Sequence, residues 1–226
     1  MAGSGRISAA MAVAVTIGLA GCSTPEGESQ SPAPSPSVQQ FDLSKLSQLE
    51  SAMPEGFVPF PTNVSTLPDA YAAGVGTALP GSERVEVEPS HCAPLLKPVD
   101  GISGSESARL RADAPDKRSI AIAADTPVDV RLNFPISGCE QMTYTVPDAP
   151  VPYRGTVERI GAPTIDGAQT YALKITVDGF PDPEYFYAAI VDDRLFFDVN
   201  ARVAPDFPAQ QKLSELLVRV VEAVAG

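Results

Sequence analysis

The chain has 226 residues, with 16 Lys+Arg against 28 Asp+Glu and a net charge of −12. That balance excludes a nucleic-acid binder, because such binding runs on cationic side chains that displace counterions from phosphate. It also excludes a basic patch that grips anionic lipid, and a single histidine leaves little room for His-dependent catalysis.

At the N-terminus a basic residue, Arg6, is followed by an apolar stretch from Ala9 to Ala20 and then Gly21-Cys22. The stretch is about a dozen residues long, whereas a membrane-spanning helix needs roughly 20. A basic start, a short apolar centre and small residues at a cut form a targeting segment, which is set aside from the fold. Leu19-Ala20-Gly21-Cys22 further reads as a bacterial lipoprotein signal. Residues 1–21 are expected to be removed and the thiol of Cys22 to take a diacylglycerol, and two acyl chains anchor stably where one is marginal. The expected location is the cell membrane, lipid-anchored on its extracytoplasmic face. Residues 22–40 are dominated by Pro and Ser and form a semi-extended tether.

Residues 41–226 suffice for one domain with a real core. A short helix is expected first, with Asp42 as N-cap, Phe41 and Leu46 as a hydrophobic staple, and Leu43, Leu46, Leu49 and Met53 on one face. Pro54 and Gly56 end it. A second short helix is expected from Pro68 to about Ala73.

From Arg84 the pattern turns to period two. Strands are expected at 84–88, 119–123, 128–134, 141–146, 155–160, 170–177, 185–191 and 195–201, rich in Val, Ile, Thr, Tyr and Phe between Pro, Gly and Asp clusters. Residues 101–117 are polar and read as an exposed excursion. The last two strands suggest a hairpin around Asp192-Asp193, a turn that suits a hairpin less well than Asn-Gly. After Pro208, Leu213, Leu216, Leu217, Val220, Val221 and Val224 repeat as one helical stripe that needs a surface to bury against. The expected fold class is α+β: a twisted antiparallel sheet with helices packed on one face and one disulfide.

That disulfide would join Cys92 and Cys139, since a leftover pair in an exported chain reads as a cystine. Metal binding, the rival, needs three or four ligands, and the chain offers only His91 beside Cys92. No catalytic residue is assigned and no cofactor is implied. The chain lacks a Gly-x-Ser-x-Gly elbow and a phosphate-cradling glycine loop. Arg84, Arg109, Arg111, Lys117 and Arg118 are dispersed, and Asp178, Asp182, Glu184, Asp192, Asp193 and Asp198 read as turn caps and solubilising edges. A carboxylate pair for glycoside hydrolysis is a matter of spatial separation that sequence leaves open. Of the late aromatics, Tyr185 and Tyr187 share one strand face. They pack a core or line an apolar groove.

Several segments resemble a known group: Pro89-Ser90-His91-Cys92-Ala93-Pro94-Leu95-Leu96, Gly138-Cys139-Glu140-Gln141-Met142-Thr143, Gly155-Thr156-Val157-Glu158-Arg159-Ile160 and Ile165-Asp166-Gly167. They look like an uncharacterised family of mycobacterial lipoproteins. More distantly, the two cysteines, the late hairpin and the closing helix are similar to the extracellular sensor domain of PknH-type serine/threonine kinases. The resemblance spans roughly residues 41–226 and implies an α+β fold, an envelope location and no catalytic residue.

The function expected is therefore non-enzymatic: a membrane-anchored, sensor-like module that binds a small envelope ligand or a protein partner, with no nucleic acid. Carriage of a lipid or glycolipid in an apolar cavity is the alternative. An envelope hydrolase, using His91 or a carboxylate pair, is a third class.

Overall fold

Strand-forming periodicity dominates the chain more than its sequence suggests. The computed structural model describes residues 41–79, 84–132 and 136–226, so the targeting segment, Cys22 and the tether lie outside the described residues. All of those described belong to the unit Gln40–Gly226.

A 3-10 helix, Leu43–Ala52, opens this unit. Its N-cap is Asp42, whose carboxylate accepts hydrogen bonds from the Ser44 backbone N–H at 3.1 Å and the Ser44 hydroxyl at 2.6 Å. Such a cap satisfies an orphan donor of the first turn. Strands β1 (Val58–Pro59) and β2 (Asn63–Thr66), the four-residue helix α1 (Asp69–Ala72), and β3 (Glu86–Glu88) follow. A second 3-10 helix, Ser90–Leu95, carries Cys92. The long strands come next: β4 (Val99–Asp113), β5 (Ser119–Val130), β6 (Gln141–Val146), β7 (Tyr153–Ile160), β8 (Ala168–Val177), β9 (Glu184–Val191) and β10 (Leu195–Arg202). Helix α2, Ala209–Ala225, closes the chain.

All ten strands form one sheet in the order β1-β4-β5-β10-β9-β8-β7-β6-β3, with β2 also on β4. Every pairing is antiparallel. The β9–β10 hairpin turns through Asp192 and Asp193, both at positive φ (51° and 52°). Asp visits this left-handed region more readily than most residues, which lets a short turn match the twist of its strands.

The α+β expectation, with helices packed on one face, is corrected. The described residues are mainly a ten-stranded antiparallel sheet, with few of them helical. The short strands β1 and β2 are not among those expected, and two further segments differ. Residues 101–117, expected as an exposed excursion, largely form β4, which pairs with β5 over most of its length. Its alternation is muted because Ser105 and Ser107 are themselves buried and two of its buried apolar positions are the small Ala108 and Ala112. The expected strands at 119–123 and 128–134 are, as far as Val130, a single strand running through Thr126-Pro127.

Apolar side chains of the sheet divide into two clusters. On the first face Ala108, Leu110, Ile120, Ile122, Tyr187, Ala189, Phe197 and Val199 share one cluster with the α2 stripe and with Leu43, Leu46 and Leu49. Phe186, Ala188, Ile190, Phe196, Tyr171, Leu173, Ile175, Val157, Met142 and Tyr144 belong to the other, together with Cys92 and Cys139.

Candidate functional site: two clefts on the second face of the sheet

Antiparallel register puts paired residues on one face. Following the pairs across β4, β5, β10, β9 and β8 gives a row Arg109, Ala123, Asp198, Ala188 and Tyr171. The next row along the strands is Arg111, Ala121, Asn200, Phe186 and Leu173. One row further, Asp113 and Ser119 lead to Arg202, Glu184 and Ile175. The second face is thus polar over β4 and β10, with the small Ala121, Ala123 and Ser119 of β5 between them, and apolar over β8 and most of β9.

The apolar half ends in a cleft of about 330 Å³ lined by Leu79, Val151, Tyr153, Val177 and Phe180, with Glu184 and Arg202. Val151 and Phe180 are 77% and 59% exposed. They stand in the loops after β6 and β8. The Arg202 guanidinium donates to the Glu184 carboxylate, so the cleft has one charged wall with its charges mutually compensated.

Over the other half lies a second cleft of about 300 Å³, lined by the polar Arg109, Arg111, Asp198 and Asn200 together with Leu110, Ala121, Ile122, Ala123 and residues 74–77. This segment lies tightly on the sheet: a Cβ on Gly76, whose φ is +72°, would meet Val99 at 2.6 Å. A Cβ on Gly101 would meet Val75 at the same distance. Below it, Asp125 is fully buried, and its Oδ1 accepts from the Arg109 guanidinium at 2.9 Å. Burial raises the Asp125 pKa, opposed first by the Arg109 charge. Asp198 is 7% exposed and its Oδ1 accepts from the Asn200 amide at 2.7 Å. Burial pushes the Asp198 carboxyl up to about 7, against the pull of Arg109 and with the push of Asp125.

Cys92 and Cys139 form the expected disulfide, with Cα atoms 5.7 Å apart and both residues buried. The exposed His91 ring lies 3.3 Å from the Ser137 carbonyl. His91, Cys92 and Cys139 bring potential ligand atoms within 4.8 Å, but the two sulfurs are bonded to each other and offer no thiolate pair. Tyr187 is fully buried in the first-face cluster, and Tyr185 is partly buried against it. Tyr185 also lines a shallow cleft with Phe207, Pro208 and Gln211 at the start of α2. Asp198 sits in mid-strand inside the sheet, where it caps no turn. Asp125, Ser107 and Asn200 drew no attention in the sequence. Their signal was the interruption of apolar alternation in strands otherwise rich in Ala, Ile and Phe. Among the described residues, no helix is long and apolar enough to cross a membrane.

Residues 42–225 match the family described as Domain of unknown function (DUF5642), and the chain belongs to it. The fold is similar to the X-ray structure of an uncharacterised protein from Mycobacterium smegmatis, the Rv0999 ortholog. The two are 22% identical with a TM-score of 0.60, and the match covers 82% of this chain and 98% of that one. A likeness at this identity concerns the fold alone. No curated protein matches the chain.

Proposed function

We propose that this protein is a non-catalytic binding module of the cell envelope, held on the extracytoplasmic face of the membrane through acylated Cys22, and that it takes a small ligand with an apolar body. The observation that supports this reading is the apolar cleft where Val151 and Phe180 stand exposed beside Leu79, Tyr153 and Val177. Its volume lies in the range of small-ligand sites, and large apolar side chains held at a concave rim gain by being covered. The lipoprotein-type start at Leu19-Ala20-Gly21-Cys22 and the similarity to kinase sensor domains favour a tethered, sensor-like role. Lipid carriage has less support, because the two clefts of the second face are open to solvent.

Titrating the full chain with anilinonaphthalene sulfonate, a fluorescent apolar probe, tests the cleft. Phe180→Ser with Val151→Ser should weaken probe binding about tenfold or more, the scale of one lost apolar side-chain contact. Unchanged affinity, or turnover of ester, glycoside or peptide substrates by the wild type, would overturn the reading. Cys22→Ser should move the protein from the membrane to the soluble fraction.

A further inference from the structure

The polar cleft needs its own account, because the apolar cleft leaves it unused. Burying charge in a sheet is unfavourable unless each group is paired, and an apolar replacement is often at least as stable. Here the pairing is incomplete. Arg109 is committed downward: its Nη1 donates to the Ala108 carbonyl at 2.9 Å and its Nη2 to Asp125 at 2.9 Å. Asp198, one row away from Asp125, has no cation of its own. Among the described residues, one hydrogen bond reaches its carboxyl, from Asn200. Asp198 and Asn200 nevertheless line an open cleft of about 300 Å³ instead of being packed over. Hydrogen-bonding capacity is thus held in place and presented to a cavity.

The charges around the cleft select what can enter it. Arg109 and Arg111 repel a cation, and Asp198, whenever ionised, repels an anion. Arg109 is matched by Asp125 and Arg111 by Asp113, whose Oδ1 accepts from Arg111 Nε at 2.7 Å. The wall is close to neutral, and its donors and acceptors stand among small and apolar residues, Val75, Ala121 and Ala123 included. A carboxyl, an amide and a guanidinium edge together suit a ligand that donates and accepts from several adjacent hydroxyls. The modest volume suits a small polar ring better than a chain.

We infer that the cleft over Arg109, Asp198 and Asn200 is a second binding site, distinct from the apolar cleft, for a neutral polyhydroxylated ligand of the sugar class. Asp198 accepts from ligand hydroxyls, the Asn200 amide holds Asp198 and bonds the ligand in turn, and the exposed edge of Arg109 donates. The site stands independently of the proposed apolar ligand.

The test uses the full chain and saturation-transfer NMR at millimolar concentration with neutral pentoses, hexoses and their disaccharides, alongside inorganic phosphate and a simple primary amine. Saturation transfer to at least one neutral sugar is expected, with none to phosphate or the amine. Asn200→Ala should weaken that sugar about tenfold or more, the scale of losing a ligand hydrogen bond and leaving its partner unpaired. Asp198→Asn, which replaces one acceptor oxygen by an amide donor and removes the charge, should weaken that sugar as well, by about threefold to tenfold. Circular dichroism reports whether each variant is folded, and Asn200→Ser provides a second variant of similar effect should Asn200→Ala fail to fold. Phe180→Ser should leave sugar binding intact, so a failure of the apolar reading and a failure of this one separate. No response to any neutral sugar would overturn the assignment. So would a response to phosphate or amine alone, or sugar binding indifferent to Asn200.

Discussion

Phe197 and Asp198 are consecutive residues of β10, both almost inaccessible to water, and they face opposite sides of one sheet. Phe197 lies in one apolar cluster with Ile122, Tyr187, Ala189, Val199 and the α2 stripe. Asp198 lies among Arg109, Ala123 and Asn200, beneath an open cleft. The first surroundings stabilise by removing apolar area from water. The second hold a carboxyl where water is scarce, and the molecule keeps it there although apolar packing would be easier to achieve. One face of β10 builds the fold, and the other offers polar groups to whatever occupies the cleft.

Truncation sharpens this contrast most strongly. Phe197→Ala should destabilise the protein by about 3–5 kcal/mol, the range for a large aromatic lost from a packed core, as measured by urea unfolding. A loss below about 1 kcal/mol would mean that the first face is not the main source of stability.

The pH dependence of Asp198 comes next. Its carboxyl is raised from 3.8 to about 7 in the fold by burial. Between those values the folded state holds a proton that the unfolded state has released. The contribution of Asp198 to stability therefore falls as pH rises from about 4 to about 7, at up to about 1.4 kcal/mol per pH unit. Asp125, also raised by burial, acts in the same direction, so the contribution of Asp198 is read as the difference between wild type and variant. Asp198→Asn should gain stability relative to wild type across that window, in urea midpoints followed against pH. Parallel curves would show that Asp198 titrates as an ordinary exposed acid.

The smallest expected effect marks the apolar cleft. Phe180→Ser should change stability by no more than about 0.5 kcal/mol, because the residue is 59% exposed. Retained stability with weakened probe binding would place Phe180 in recognition. A large loss of stability would return it to the core.

Legibility in the sequence followed local signal strength. The Asp42 cap, the α2 stripe from Leu213 to Val224, and β6 at Gln141–Val146 all sit where pattern and spacing put them. The Cys92–Cys139 bridge follows from having one leftover pair in a chain expected to be exported. In contrast, β4 was concealed because Ser, Gly and Ala give too weak an alternation to distinguish a half-polar strand from a loop. Both clefts were equally hidden. Asp198 resembled the other late acids that cap turns and edges, and Phe180 any aromatic of a Pro-rich turn.

What the amino-acid order determined by itself was therefore local: where helices begin, which segments alternate, and which thiols remain to pair. Tertiary structure decided which strands became neighbours, and that in turn set Arg109 beside Asp125 and left Asp198 and Asn200 under an open cleft. The physical reason is register. A side chain's own sequence fixes only that it alternates with its neighbours, while the partner strand determines what it meets across the sheet and whether water reaches it.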